Sequence, residues 1–205
     1  MPRLFIAAVA LLLAGCAGAP PQATPTSGAP TSASDGAAPS DADLQAKWWT
    51  WALSSPQARN PVADPTGQFC AEDQPKNVWF LAGTFGGAAQ RTCEVPGGRP
   101  IAAPAVNLYS ANTSDCKSFM AAATGSMTLD GQVVELRRID PVEITFQAAQ
   151  DNAIGESAGR KVAQACGLWA WLPPLLPGEH ELKIEGESGT FSTSVVYQLK
   201  VGAGD

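Results

Sequence analysis

The sequence predicts a mainly β domain, an antiparallel sandwich with a helix at its N-terminal side and one short internal helix. Three observations carry that prediction. Residues 179–201 alternate between polar and apolar side chains, the period of a half-buried strand. Asp130-Gly131 stands between two short β-forming runs, a strong hairpin signal. The other apolar runs are short and bounded by Gly or Pro, which suits strands better than helices.

The elements follow in order. A helix starts near Ser40, which can cap it, with Asp43 three residues later as in a capping box. Leu44, Trp48, Trp51 and Ala52 share one face of that helix, and Trp49 falls off the stripe. Ser55-Pro56 ends it, because proline disfavours helix in the residue before it. Asn60 to Gly67 reads as loop. Residues 78–82 form an apolar run like a strand buried on both faces, closed by Gly86-Gly87. Residues 91–95 and 101–108 read as strands joined through Pro96-Gly97-Gly98, and 114–123 as the short helix. Residues 127–129 and 133–135 flank Asp130-Gly131, and 141–146 is another strand; 147–161 is polar and ambiguous. Residues 168–172 are apolar throughout, before a corner at Pro173-Pro174 and Pro177-Gly178.

The last hairpin carries the clearest pattern. Glu179, Glu181, Lys183, Glu185 and Glu187 take one face of its first strand, and His180, Leu182 and Ile184 the other. Val195, Tyr197, Leu199 and Val201 repeat the apolar face after a turn at Ser188-Gly189. This hairpin resembles the last two strands of an immunoglobulin-like β-sandwich. In such domains a Pro-Gly corner is often followed by a tyrosine whose hydroxyl bonds back to the corner. Pro177-Gly178-Glu179-His180 has that form with histidine in the tyrosine's place.

The start of the chain speaks to location. Arg3 is followed by the apolar run 4–13 and then by Leu13-Ala14-Gly15-Cys16. A run of that length is too short to span a bilayer and reads as a cleaved signal. The four-residue motif resembles the lipobox of bacterial lipoproteins. That resemblance implies a signal peptide over 1–15 and acyl chains on Cys16, enough to anchor the protein stably to a membrane. Ala17 stands where an aspartate would hold a Gram-negative lipoprotein at the inner membrane. The resemblance therefore implies the outer membrane if the host has one, and the cell envelope in any case. Residues 16–39 are nearly all Ala, Gly, Pro, Ser and Thr after the cysteine, a composition that cannot bury a core and is expected to be a disordered tether. Its reach is about 25 Å as a coil and about 70 Å in polyproline form. Residues 40–205 are then the single folded domain.

Charge and cysteines narrow the function. Removing 1–15 takes away Arg3 and no acid, so the mature chain is one unit more negative than the −6 of the full sequence. That argues against nucleic acid as a partner, since its binding rests on basic patches. Cys70, Cys93, Cys116 and Cys166 remain after the anchor, an even number that points to two disulfides in an exported chain. Three pairings fit; Cys70–Cys93 and Cys116–Cys166 close the shorter loops. Zinc is disfavoured, because there is no Cys-x-x-Cys and only one histidine.

Candidate chemistry is sparse. Any Ser–His–Asp or Cys–His arrangement would need His180, which sits within an alternating strand and reads as a structural imidazole bonded to a corner carbonyl. The acidic stripe of Glu179, Glu181, Glu185 and Glu187 reads as a solvated face. Asp140 and Glu143 form a carboxylate pair of the kind glycosidases need, which is necessary for that chemistry but far from sufficient. Gly83-Thr84-Phe85-Gly86-Gly87 lacks the Lys-Ser/Thr of a phosphate loop. No motif demands a cofactor or a metal. The six tryptophans are the best binding candidates. Trp48, Trp51 and Trp79 read as core. Trp49, off the stripe, is the one expected to be exposed, and Trp169 and Trp171 share a strand face that lines either a core or a groove; these three are the candidates for a ligand-binding surface. Trp48-Trp49 with Trp51, Asn60-Pro61, Asp64-Pro65-Thr66-Gly67 and the run from Val78 to Gly83 also resemble the opening of a group of exported bacterial proteins with no assigned activity. The expected role is non-catalytic binding of an envelope polymer such as a polysaccharide, a small ligand or a protein partner. An envelope hydrolase using carboxylates and a structural subunit of an envelope complex are the alternatives.

Overall fold

The computed structural model describes residues 38–204, so Cys16, the signal peptide and most of the tether lie outside the described residues. The domain is the expected mainly β sandwich with two helices. Helix α1 (Asp41–Ala52) is followed by β1 (Trp79–Phe80), β2 (Gly87–Val95), β3 (Ile101–Ser110) and helix α2 (Thr113–Ala122). Then come β4 (Thr124–Leu129), β5 (Gln132–Val133), β6 (Arg137–Ala148), β7 (Gly159–Leu172), β8 (Gly178–Ser188) and β9 (Phe191–Val201). One sheet has the order β1-β3-β7-β6 and the other β2-β9-β8-β4-β5.

Two pairings depart from the purely antiparallel expectation. β1 runs parallel to β3, and β2 runs parallel to β9 along its whole length, from Gly87↔Thr193 to Val95↔Val201. The reason is that residues 96–100 do not fold β2 back on β3 as a hairpin. They carry the chain from one sheet to the other.

Hydrophobic burial sorts into two layers. Between the sheets, Leu182, Ile184, Val195, Tyr197 and Leu199 of the β8–β9 hairpin meet Ile101, Ala103 and Ala170 of the facing sheet. This is the alternation read from the sequence, with the acidic residues on the outer face. The other face of the first sheet is covered by α1. Leu44, Trp48, Trp51 and Ala52 pack there with Phe80, Ile144, Phe146 and Trp169. Ser40 caps the helix as expected, its Oγ accepting from the Asp43 N–H at 3.2 Å and donating to the Asp43 carboxylate at 2.8 Å. Trp48 and Trp51 add hydrogen bonds to this packing: their indole N–H groups donate to Leu81 O at 3.0 Å and Glu72 O at 2.9 Å. One face of the helix therefore holds both the sheet and the long loop before β1.

The cysteines pair as expected, Cys70 with Cys93 and Cys116 with Cys166, at Cα separations of 5.8 and 5.9 Å. The first ties the long loop to β2, and the second ties α2 to β7. Asp130 and Gly131 turn the β4–β5 hairpin, both at positive φ (51° and 78°), the conformation that an Asp-Gly hairpin turn requires. Among the described residues no helix is long and apolar enough to cross a membrane.

Candidate functional site

β1 is only two residues long and meets β3 at Ile101 and Ala102 alone. Further along β3, Pro104 has no N–H to offer a neighbour, and the strand bulges between Pro104 and Val106. The chain leaving β1 turns away at Gly83 toward the second sheet. There the Thr84 N–H donates to Thr193 Oγ1 at 2.7 Å. A Cβ on Gly83 would lie 2.6 Å from that oxygen, so glycine permits the close approach. The first sheet consequently lacks a strand beside residues 104–108. The gap is a cavity of about 320 Å³, walled by Trp48 and Trp49 of α1, Phe85, Phe119 of α2 and Phe191 at the start of β9. Larger depressions, of about 460, 590 and 700 Å³, are more open to solvent.

A buried arginine holds one wall of this cavity. Arg91 is 2% exposed, and its guanidinium donates to Asp64 O (2.7 Å), Val62 O (2.7 Å), Ala82 O (2.9 Å), Gly83 O (3.0 Å) and Tyr197 Oη (2.6 Å). Val62 and Gly83 both line the cavity. The loop it grips is built by two side chains from the motif singled out above. Asn60 Nδ2 donates to Ala52 O at 2.7 Å, and its Oδ1 accepts from the Val62 N–H at 2.9 Å. Asp64 accepts from the Thr66 N–H at 2.8 Å and the Phe69 N–H at 2.9 Å. Burial alone would raise the Asp64 carboxyl. The Phe69 and Thr66 N–H groups, the Thr66 hydroxyl and the Arg91 charge together hold it below the usual carboxylate range. Gly67 completes the loop at φ 91°, with Thr92 O only 2.4 Å from where a Cβ would be. The residues behind that motif thus build a wall rather than a reaction centre.

The three tryptophan candidates fare differently. Trp49, off the helical stripe, is not exposed as its position predicts but buried, at 7% exposure. The buried face of α1 is wider than the stripe, because Tyr109 of β3 stands beside it, 4.6 Å from Trp49 between ring centroids. Trp169 is 1% exposed and belongs to the core under α1. Trp171 is half-buried against the same cluster. The rings do not form an exposed row. Trp48 meets Trp49 and Trp169 edge-on, at interplanar angles of 90° and 88°. Of the three candidates, only Trp49 lines the cavity.

The remaining sites resolve simply. His180 Nε2 contacts Leu176 O at 2.9 Å, the corner bond expected of it, and Nδ1 contacts Asp130 Oδ2 at 2.7 Å. The Asp130 hydrogen bond, followed by the Leu176 carbonyl, raises the His180 pKa. With both ring nitrogens facing acceptors, His180 has no nucleophile to activate. Asp140 is exposed and pairs with Arg138 at 3.0 Å, and Glu143 is an exposed residue of the same strand. Glu181 pairs with Lys183 at 2.9 Å, and Glu187 accepts from Thr124 Oγ1 at 3.0 Å, so the acidic stripe is a cross-linked surface. Among the described residues no group of three or more His, Cys, Asp or Glu side chains is placed to hold a metal ion.

The role of Arg91 had a signal in the sequence, since alternation puts it on the inward face with Cys93 and Val95. Asn107, which lines the cavity, had none. No family model, curated protein or solved structure matches the chain.

Proposed function

We propose that this protein is a lipid-anchored component of a bacterial cell envelope whose sandwich domain binds a ligand rather than transforming one. The cavity beside Trp49 is the binding site in this reading. The supporting observation is the character of its walls: mostly aromatic and aliphatic side chains with a few neutral polar ones, and no titratable group among them. A volume of about 320 Å³ lies at the lower end of the range of small-molecule pockets, and a mainly apolar lining with a few polar groups is typical of them. Its hydroxyls, those of Thr84, Ser188, Thr190 and Thr193, have no acid or base among the lining side chains to activate them, so the cavity has little to offer a hydrolytic reaction. The anchor is supported by Cys16 and its preceding residues, and the tether would hold the domain clear of the lipid.

Two measurements test the parts separately. Cys16→Ser should move the protein from the membrane fraction to the soluble fraction, and a variant that pellets like wild type removes the anchor. A neutral naphthalene fluorophore should take up energy from the tryptophans if the cavity binds apolar bodies. Absence of such transfer removes the cavity as the site.

A further inference from the structure

The cavity lies where the first sheet would hold one more strand. Its floor is β3 over residues 104–108, which pair with β7 on one edge, while β1 ends opposite Ala102 on the other. Its two broad walls belong to the layers on either face of that sheet. Trp48 and Trp49 of α1 stand on one face, and Ser188 of β8 with Phe191 and Thr193 of β9 on the other. A strand edge covered on both faces in this way is open only sideways, and an open edge is a template for another extended chain.

Alternation along β3 tells which backbone groups face the gap. The Leu81 N–H donates to Ala102 O at 3.0 Å, so Ala102 turns its carbonyl toward the β1 side. Beyond the bulge, Val106 O would lie 2.7 Å from a Cβ on Gly167, and Leu108 O lies 3.9 Å from Cys166 Sγ, so both carbonyls turn toward β7. Asn107 stands between them and therefore presents its backbone N–H and C=O to the gap. No lining side chain is charged, so a charge brought in would be buried without a partner, a large penalty. Size limits the guest further. Four residue steps of strand span about 13 Å, with about 4.8 Å to the next strand and about 10 Å between layers, so a full strand fills roughly 600 Å³. A cavity of about 320 Å³ admits such a backbone only with small side chains.

Resting on the reading of this cavity as the binding site, we infer that its ligand is an extended, uncharged segment of another polypeptide, added to the first sheet as a strand beside Asn107. Its side chains are small and alternate between the two walls. Apolar ones face Trp48, Trp49 and Val62, and hydroxyl-bearing ones face Ser188 and Thr193. Main-chain hydrogen bonds supply the affinity of such strand addition, and the walls that receive alternate side chains supply its selectivity.

The test uses the full chain in lipid nanodiscs, with empty nanodiscs as the blank. The probe is the pentapeptide Thr-Val-Thr-Val-Thr, acetylated and amidated, radiolabelled in its acetyl group and followed by equilibrium dialysis. Three further peptides carry a single N-methyl group, at the second, third or fourth residue. A strand turns successive N–H groups toward and away from its neighbour. Methylation at the second and fourth residues should therefore act alike, and opposite to the third. One class should lose about tenfold in affinity, the loss expected for one hydrogen bond, and the other should stay within about twofold of the parent. The parent peptide should also displace the neutral naphthalene fluorophore from the cavity. Equal loss from all three methyl groups, or loss from none, would overturn the inference, since a body held only by its apolar surface has no such period. Uptake of the fluorophore without binding of the peptide would overturn it as well, while leaving the cavity as a binding site for small molecules. Uptake of neither would remove the site itself. All arms use the wild-type chain, so no folding defect enters the comparison.

Discussion

Replacing Arg91 with methionine isolates the contribution of its guanidinium, because methionine keeps much of the apolar stem. The structure allows the cost to be worked out. Five acceptors lose a charged donor, but they are not equal. Ala82 O retains the Tyr197 hydroxyl at 2.8 Å, and Tyr197 Oη retains the Ala82 N–H at 3.2 Å. Val62 O, Asp64 O and Gly83 O lose the donor that Arg91 supplied. An unpaired buried polar group costs about 1–3 kcal/mol. Val62 and Gly83 adjoin the cavity, so entering water can relieve part of that. The expected loss is about 3–5 kcal/mol, a large share of the roughly 5–15 kcal/mol that holds a domain folded. In urea, with a slope of about 2 kcal/mol per molar, the midpoint should fall by about 1.5–2.5 M. Unfolding should be followed by fluorescence and circular dichroism with both disulfides intact. Arg91→Lys should recover part of the loss, since an ammonium has three donors against the guanidinium's five. A midpoint shift below about 0.5 M for the methionine variant would refute the reasoning, because it would mean that these carbonyls find other partners at no cost.

Two further outcomes follow from the same geometry. The His180 pKa is raised, by the Asp130 hydrogen bond first, and the Asp130 pKa is lowered, by the His180 bond first. The histidine's contribution is therefore complete below its unfolded pKa of about 6.5 and is lost as pH rises through the folded value. The aspartate's contribution is present above about pH 4 and is lost as pH falls through its lowered folded value. Asp130 is half exposed, so the pair is worth at most about 1 kcal/mol. The sole imidazole should titrate above 6.5 by NMR, and His180→Gln should flatten the decline in stability between pH 6 and 8; titration at or below 6.5 contradicts the pairing. Removing the disulfides separately should rank them by loop length. Replacing Cys116 and Cys166 with alanine opens a separation of 50 residues, and replacing Cys70 and Cys93 one of 23. The chain-entropy relation gives about 4 and about 3 kcal/mol. Denaturation midpoints in the reverse order would show that local contacts, not chain entropy, set the difference.

Local patterns in the sequence were a good guide to local structure. The β8–β9 alternation is legible because one face meets a core and the other meets water. The histidine corner is legible because Pro177-Gly178 fixes where the chain turns and His180 follows at the right distance to reach Leu176 O. Trp49 misled because helical period tells which side chains share a stripe, not how wide a face the surrounding strands and loops will cover. The parallel register of β2 on β9 was invisible, since no local feature of residues 87–95 names a partner so distant in sequence. The cavity was hidden for a related reason. It arises from what is missing: a longer β1, an N–H at Pro104 and a regular pairing at the bulge that follows.

The position of β9 has a consequence for how the domain assembles. It lies between β8, its hairpin neighbour, and β2, one of the earliest strands. The β8–β9 hairpin can form locally, whereas β2 must close a long loop before its first parallel pair is made, and such topologies fold slowly. Until then both β2 and the outer edge of β9 offer unpaired backbone to any neighbouring chain. The Cys70–Cys93 bridge does not shorten that wait, because it joins β2 only to the loop preceding it. Oxidation and sheet closure are separable events, and the closure of β2 onto β9 is the step at which this domain is most exposed to misassembly.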